Sequence, residues 1–295
     1  MTPEETQDAA RSALACLDLT SLNDRDTAAD IVALCQRAVG YRLHLGSVAA
    51  DPPHRGPLTA DLPNRGPVAA DPPHRGPVAA HPPDRGPVAA VCVWPRRAAL
   101  ARRLLPRHIA VAAVANFPDG SADLQRAVRD TQRIVGAGAQ EVDVVFPYRD
   151  FAAAPALLRA VRQACPGLRL KVILETGELQ DPALISRACR IALEAGADFL
   201  KTSTGKTPRS ATPAAAVLML QAIAQDRSAS GRVGFKPAGG IRTVADAALY
   251  MGLTAQHLGA EAVHPARFRI GASSLLDDIE AVLAGAHTSP ASSGY

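Results

Sequence analysis

The sequence predicts an α/β fold, a (β/α)8 barrel of the TIM type. Short apolar segments alternate with segments of helical periodicity along most of the chain, and eight such strand candidates can be counted. Strands separated by helices imply right-handed parallel crossovers, and eight units imply closure into a barrel. An open doubly wound sheet is the alternative, but no G-x-G-x-x-G follows the first strand.

The elements can be placed in order. After a polar opening, the first short strand is predicted at residues 16–20, and Asp26 and Thr27 supply an N-cap for a helix over residues 28–39. The later strands are predicted at residues 88–94, 109–117, 141–146, 168–175, 199–204, 233–240 and 267–273. The later helices are predicted at residues 96–105, 121–136, 181–195, 213–225, 243–258 and 274–283, with a further helix that follows the strand at 141–146 and ends at about residue 164.

Residues 48–87 interrupt this alternation with a tandem ten-residue repeat. Each copy contains Pro and Gly, one acid and one Arg, and almost nothing to bury, so the segment cannot form a core. We expect a flexible insertion on the barrel face opposite the chemistry; a polyproline II ligand for a partner protein is the alternative. The expected divisions are the start of the barrel at 1–47, the insertion at 48–87, the remaining barrel at 88–284 and a flexible tail at 285–295.

Composition narrows the classes of partner. The net charge of +4 is mildly basic, yet no Lys/Arg run is interleaved with aromatic residues, so a nucleic-acid partner is not expected and a phosphorylated small molecule fits better. We expect neither a signal peptide nor a membrane span, and therefore a cytoplasmic protein. The five scattered cysteines, without a C-x-x-C pair, predict reduced thiols and no zinc site.

Two lysines end apolar strands and are followed by turns rich in glycine or hydroxyl groups. Lys201 precedes Thr-Ser-Thr-Gly-Lys, and Lys236 precedes Pro-Ala-Gly-Gly. Burial and a neighbouring ammonium both lower the pKa of a lysine, which favours a nucleophilic amine at Lys201 with Lys236 beside it. Asp143, an acid in an apolar strand, is the predicted proton shuttle. The alternative is a structural ion-pair network; Lys171, which Glu175 could neutralise, is given a supporting role.

The carboxyl ends of barrel strands meet at one mouth, and this places further polar residues near the lysines. Asp18 and Cys92 are expected around the same cavity. Glycines and hydroxyls after the last strands offer backbone N–H groups to a phosphate, as helix starts commonly do. The predicted phosphate-binding residues are Gly205, Lys206, Gly239, Gly240, Gly271, Ser273 and Ser274.

Taken together, the ordered segments resemble the deoxyribose-phosphate aldolase family from about residue 14 to residue 295, apart from the repeat. The segments that carry the resemblance are Leu17-Asp18-Leu19-Thr20, Ala90-Val91-Cys92-Val93-Trp94-Pro95, Asn116-Phe117-Pro118, Glu141-Val142-Asp143-Val144-Val145, Lys171-Val172-Ile173-Leu174-Glu175-Thr176, Lys201-Thr202-Ser203-Thr204-Gly205-Lys206, Gly234-Phe235-Lys236-Pro237-Ala238-Gly239-Gly240 and Phe268-Arg269-Ile270-Gly271-Ala272-Ser273-Ser274. The resemblance implies a class I aldolase that uses neither metal nor cofactor and reversibly splits 2-deoxy-D-ribose 5-phosphate.

The resemblance also implies roles for individual residues. It makes Lys201 the Schiff-base former, Lys236 the lysine that perturbs it, and Asp143 an acid/base acting through water. It assigns the glycine and serine segments to phosphate and places Asp18, Thr20, Cys92 and Thr204 in the substrate pocket. The C-terminal Tyr295 is expected to assist proton transfer at C2 of the Schiff base.

Two features depart from the family pattern: the inserted repeat, and Ile270 where the family has phenylalanine. Two other functions stay open, namely another Schiff-base aldolase for a phosphorylated sugar and an interaction protein acting through residues 48–87. We also expect a homo-oligomer, with a dimer favoured over other states.

Overall fold

The computed structural model describes residues 1–40 and 85–285. These residues contain eight strands: β1 Leu17–Thr20, β2 Ala90–Val93, β3 Ala110–Ala115, β4 Glu141–Val145, β5 Arg169–Ile173, β6 Phe199–Lys201, β7 Gly234–Lys236 and β8 Ile270–Ala272. They also contain ten α-helices: α1 Pro3–Ala15, α2 Ala28–Val39, α3 Pro95–Leu104, α4 Leu124–Gly136, α5 Ala154–Ala164, α6 Thr176–Leu179, α7 Pro182–Glu194, α8 Pro213–Gln225, α9 Val244–Leu258 and α10 Leu275–Leu283. A 3-10 turn spans Ala260–Ala262.

The strands form a parallel sheet that closes on itself. The order runs from β7 through β6, β5, β4, β3, β2 and β1 to β8, and every pair in it is parallel. Parallel bridges from Phe235 to Phe268 and from Ala238 to Gly271 join β7 to β8. The predicted TIM barrel is confirmed, and the carboxyl ends of all eight strands share one mouth.

Helix boundaries match the prediction best where the sequence provides a cap. Thr27 and Asp30 form a capping box that starts α2, and Thr212 caps α8 ahead of a proline at its first position. Both helices span the predicted residues. The strands are shorter than predicted: β6 ends at Lys201 rather than at 204, and β7 spans Gly234–Lys236 rather than 233–240.

The amino-terminal segment differs from the prediction. Instead of an irregular polar opening, residues 3–15 form α1, which begins with a capping box between Thr2 and Glu5 and has Pro3 at its first position. Its buried residues are Ala10, Ala13 and Leu14, and the helix packs against α9 and α10. The small apolar stripe of α1 was hidden among polar residues in the sequence.

Most of the predicted insertion, residues 48–84, lies outside the described residues, as does the tail from 286 with Tyr295. The residues on either side of the insertion come together, since Val88 N donates to Ala38 O at 3.0 Å beside the start of the barrel strands. Arg85 was assigned to the repeat; its side chain is 3% exposed and pairs with Glu280 of α10 at 2.7 Å. The two ends are thus attached to the face opposite the mouth. Within the described ranges, every helix is too short or too polar to cross a membrane.

Candidate active site

Asp143 lies at the centre of a buried charged cluster inside the barrel. Its Oδ2 atom accepts hydrogen bonds from Lys201 Nζ and Lys236 Nζ, each at 2.9 Å, and its Oδ1 atom accepts one from Lys171 Nζ at 2.8 Å. Alternate residues of a strand face the same side, so Glu141 and Asp143 both point into the barrel from β4. One carboxylate thus joins lysines from three neighbouring strands, β5, β6 and β7.

A second tier of the cluster holds the first in place. Lys236 Nζ also donates to Asp18 Oδ2 at 2.5 Å, and the other oxygen of Asp18 accepts from Arg269 Nη1 at 2.6 Å. Arg269 Nη2 reaches Glu141 Oε1 at 2.9 Å, while Lys171 Nζ reaches Glu141 Oε2 at 2.5 Å. All of these side chains are at most 4% exposed. The cluster therefore spans β1, β4, β5, β6, β7 and the residue before β8.

Two glycines make room for these long side chains. A Cβ atom on Gly271 would lie 3.2 Å from Lys236 Cε and 2.8 Å from Ala238 Cβ. A Cβ atom on Gly234 would lie 2.4 Å from the ring of Phe199, over which the Arg269 guanidinium stacks at 5.9 Å. Because both contacts are below ordinary van der Waals distance, a larger residue at either position would displace part of the cluster.

The carboxylates of the cluster are held in their charged form. Burial alone would raise the pKa of Asp143, but the three surrounding ammoniums outweigh it and hold its pKa well below the usual range. The same balance, burial opposed by Lys236, Arg269 and Lys171, lowers the pKa of Asp18. For Glu141, Lys171 and Arg269 overcome burial and lower the pKa. All three acids are therefore fixed negative charges at neutral pH.

The structural cations show the opposite shift. Burial would lower the pKa of Lys236, but Asp143 and Asp18 together raise it. Lys171 behaves alike, with Asp143 and Glu141 overcoming burial and raising its pKa. The Cys92 thiol lies 3.9 Å from Asp143 Oδ2, and burial with that neighbouring charge raises its pKa, so it is a neutral thiol. Lys236 is thus held as a cation next to Lys201.

A cavity of about 570 Å³ opens above the cluster at the mouth. Lys201 reaches it from below, and Thr20 and Thr204 stand at its sides. All seven residues predicted to bind phosphate also line it: Gly205, Lys206, Gly239, Gly240, Gly271, Ser273 and Ser274. Asp18, Cys92, Asp143 and Lys236 do not line the cavity, because they are buried beneath it. The sequence thus indicated the right region but did not separate the cavity wall from the layer below.

The predicted neutralisation of Lys171 by Glu175 is wrong. Lys171 is paired with Glu141 and Asp143, whereas the Glu175 carboxylate accepts the Thr204 hydroxyl at 2.5 Å and the Thr204 backbone N–H at 3.2 Å. Glu175 follows β5 in a left-handed conformation, with φ of 55°, which turns its side chain to the loop after β6. Its role is to fix the cavity residue Thr204, and burial raises its pKa.

Two functional residues were missed. Arg242 lines the cavity two residues after Gly240, where its backbone N–H donates to Asp246 Oδ2 at the start of α9. Arg269 anchors the buried cluster, and the signal for it was an arginine placed within the apolar run Phe-Arg-Ile. Within residues 1–40 and 85–285, no group of three or more His, Cys, Asp or Glu side chains is arranged to hold a metal ion.

Fold and site together define a barrel protein whose cavity ends on a lysine set in a buried ion cluster. The chain matches the model of the DeoC/LacD family of aldolases over residues 12–281, and it belongs to that family. It is therefore an aldolase, a carbon–carbon lyase.

Known proteins agree with this assignment. The deoxyribose-phosphate aldolase of Agrobacterium fabrum (strain C58) is 41% identical over 300 residues, covering 99% of this chain and 98% of the relative. A crystal structure from Toxoplasma gondii ME49, provisionally named a deoxyribose-phosphate aldolase, superimposes with a TM-score of 0.74 at 22% identity, covering 97% and 98% of the two chains. The tetrameric deoxyribose phosphate aldolase of Aeropyrum pernix gives 0.63 at 23% identity, covering 95% of each chain. At these identities the two structures establish the fold alone.

Proposed function

We propose that this aldolase reversibly cleaves 2-deoxy-D-ribose 5-phosphate to D-glyceraldehyde 3-phosphate and acetaldehyde, through a Schiff base on Lys201, in the breakdown of deoxyribose and deoxynucleosides. The observation that carries the proposal is the position of Lys201. Its Nζ atom lies at the junction of the open cavity and the buried cluster, with one carboxylate partner that it shares with Lys236. A lysine beside a second, fixed cation is an activated nucleophile.

In the proposed reaction the neutral Lys201 Nζ attacks the C1 aldehyde carbon of the open-chain sugar. Loss of water from the carbinolamine gives a protonated imine. When a base removes the proton of the C3 hydroxyl, the C2–C3 bond breaks, its electron pair forms an enamine on C1 and C2, and glyceraldehyde 3-phosphate leaves. Protonation of C2 and addition of water then release acetaldehyde and regenerate the amine.

The neighbouring groups fit these proton transfers. Asp143 contacts both Lys201 and Lys236, so its carboxylate can exchange a proton with Lys201 or, through water, with the substrate. Lys236 stays cationic and opposes a second positive charge at Lys201. Tyr295 lies outside the described residues, and its part in proton transfer at C2 stays a prediction.

The phosphate group fits the far wall of the cavity. Gly239 and Gly240 both have positive φ, 82° and 81°; the Gly239 N–H donates to Gly271 O at 3.3 Å, and Gly240 lines the cavity beside it. Ser273 and Ser274 precede the first turn of α10, a position that favours an anion. Lys206 Nζ donates to Leu22 O at 2.8 Å across this wall, and the residue is exposed, so an arriving phosphate can bind it.

Borohydride trapping tests the proposal. With deoxyribose 5-phosphate or acetaldehyde, reduction should leave a stable adduct on Lys201, located by peptide mass mapping, and Lys201→Ala should remove it. Lys206→Met is the matched control, since that lysine lines the same cavity and should leave acetaldehyde trapping unchanged. A folded protein that forms no adduct would refute the mechanism. Faster cleavage of a fructose phosphate than of deoxyribose 5-phosphate would show that the assigned substrate is wrong.

We also propose that the enzyme acts in the cytoplasm as a homo-oligomer, with a dimer favoured. The five cysteines are buried free thiols, which supports a reducing compartment. Light scattering coupled to size exclusion measures the assembly directly.

A further inference from the structure

The buried cluster contains a member for which the proposed reaction has no direct use. Arg269 immediately precedes β8, is 3% exposed and lies beneath the cavity rather than along its wall. It nonetheless donates to three carboxylate oxygens, namely Asp18 Oδ1 and both oxygens of Glu141. A guanidinium is ionised at every pH at which the protein folds, so Arg269 is a fixed positive charge.

The directly paired side chains carry unequal charge. Among the buried side chains, four cations (Lys171, Lys201, Lys236 and Arg269) meet three carboxylates (Asp18, Glu141 and Asp143). Arg169 also pairs with Glu141 at 2.7 Å, but its side chain is 35% exposed and lies at the edge of the cluster. A net charge inside a barrel is costly, and release of one proton would remove it. A lysine with few carboxylate contacts and a route to solvent is the one that can release it.

Lys201 meets both conditions. Lys171 contacts Glu141 and Asp143, and Lys236 contacts Asp18 and Asp143, whereas Lys201 contacts Asp143 alone. Lys201 is also the member of the three that lines the cavity. Arg269 sharpens this difference, because it occupies oxygens of Asp18 and Glu141 that could otherwise solvate a lysine ammonium.

We propose that Arg269 is a positioning residue for the reaction. Its fixed charge and its hydrogen bonds to Asp18 and Glu141 leave the buried cluster with one positive charge in excess. Lys201 then loses a proton and becomes the neutral amine, which removes that excess. This inference rests on the proposed function. It assigns to the arginine beneath the site the task of setting the pH range in which the nucleophile works.

Other charged and titratable groups also face Lys201 or its partners. Glu175, on the loop after β5, acts on Lys201 at longer range and is held by Thr204; Lys206 stands across the cavity. Arg169 contacts Glu141 from the half-exposed edge, where water screens it. Cys92 and Cys16 are neutral thiols, and burial raises the pKa of Cys16 to about 12. Arg269 opposes the rise in the pKa of Cys16, so replacing it leaves that thiol neutral, and the charge of Arg269 remains the variable.

The test compares the pH dependence of three variants with that of the wild type. Arg269→Met should move the acid limb of kcat/KM for deoxyribose 5-phosphate about one unit to higher pH, because loss of a nearby cation favours the ammonium form of Lys201. At a pH on that limb the rate should fall about tenfold, and at alkaline pH it should approach the wild-type plateau. Arg269→Lys, which keeps the charge, should leave the limb in place.

Glu141→Gln provides the opposite shift. It removes a carboxylate from the cluster, so the limb should move to lower pH, and this variant carries the test if Arg269→Met does not fold. A rate lowered by one factor at every pH in Arg269→Met, a shift of Arg269→Lys as large as that of Arg269→Met, or an unmoved or alkaline-shifted limb in Glu141→Gln would overturn the role of Arg269.

Borohydride trapping of acetaldehyde across the same pH range separates this inference from the function beneath it. Wild-type protein without any Lys201 adduct would refute the proposed function. If the wild-type protein forms the adduct and Arg269→Met forms it with the same pH dependence, only the role of Arg269 is refuted.

Discussion

The interior of the barrel and its mouth lie within one side-chain length of each other, and they are built in opposite ways. The interior is filled with charged groups that already satisfy one another, and the described side chains there are almost completely buried. The mouth surrounds an open cavity that is lined mainly by glycine, serine and threonine, together with Lys206 and Arg242. The interior therefore surrounds Lys201 with fixed charges, and the mouth provides the open space that a ligand would occupy. Lys201 is the residue that belongs to both.

The largest expected effect is the loss of unfolding free energy on acidification, because acid protonates all three carboxylates of the cluster together. Asp18, Glu141 and Asp143 have lowered pKa values in the folded chain, whereas unfolded Asp and Glu titrate near 3.9 and 4.3. The unfolded chain thus binds protons first as the pH falls. The stabilisation should be fully present above about pH 5 and be lost progressively below about pH 4. Urea unfolding at a series of pH values measures it.

A measurement at high salt shows whether surface ion pairs or the buried cluster cause the acid-induced loss of unfolding free energy. Exposed ion pairs are screened by about 1 M salt, but pairs buried in the barrel are screened much less. We expect the acid loss of unfolding free energy to persist at high salt. An unfolding free energy that stays level between about pH 5 and about pH 3 would contradict the paired, ionised cluster.

A smaller loss of unfolding free energy is expected from Asp143→Asn, which removes the charge of only one acid. The amide keeps the shape but removes the carboxylate that three buried lysines share, which should cost about 3–5 kcal/mol of unfolding free energy and abolish turnover. Asp277→Asn is the matched control, because Asp277 pairs with Arg37 at 2.5 Å on the exposed surface and should lose less than about 1 kcal/mol. Equal losses in the two variants would mean that the cluster is no more important than a surface pair.

The same division explains what the sequence could predict. Strand order, the mouth and the catalytic lysine candidates follow from local patterns, since an apolar run that ends in a polar residue marks a strand end in any parallel barrel. The partner of Lys171 was mispredicted because side-chain pairing depends on register between strands: Asp143 lies opposite Lys171, and Glu141 lies opposite Arg169. No pattern within a single segment contains that register.

Two of the missed features, helix α1 and Arg269, had local signals in the sequence that were outweighed. Helix α1 has a complete capping box at Thr2 and Glu5, but its small apolar residues gave little periodic contrast. Arg269 sits in an apolar run where an arginine requires buried partners, and those partners, Asp18 and Glu141, come from strands far away in the sequence. Both cases show the limit of arguing from one segment at a time.

The smallest predicted effect lies wholly in the mouth and compares two adjacent glycines. Gly239 and Gly240 have nearly equal positive φ, so alanine at either position bears a left-handed strain of about 1–2 kcal/mol. A Cβ atom on Gly239 would lie 2.5 Å from Ser210 Oγ and 3.3 Å from Gly205 Cα, whereas one on Gly240 meets nothing within 4 Å. Only Gly239→Ala must displace the loop that forms the cavity wall.

We therefore expect Gly239→Ala to raise KM for deoxyribose 5-phosphate about tenfold relative to Gly240→Ala, a difference of about 1.4 kcal/mol in binding. Acetaldehyde has no phosphate, so its trapping on Lys201 should be equal in the two variants. Equal KM values would show that the wall near Ser210 does not hold the phosphate. Reduced acetaldehyde trapping in Gly239→Ala would show that a change in the mouth reaches the interior, and the two regions would then have to be treated as one.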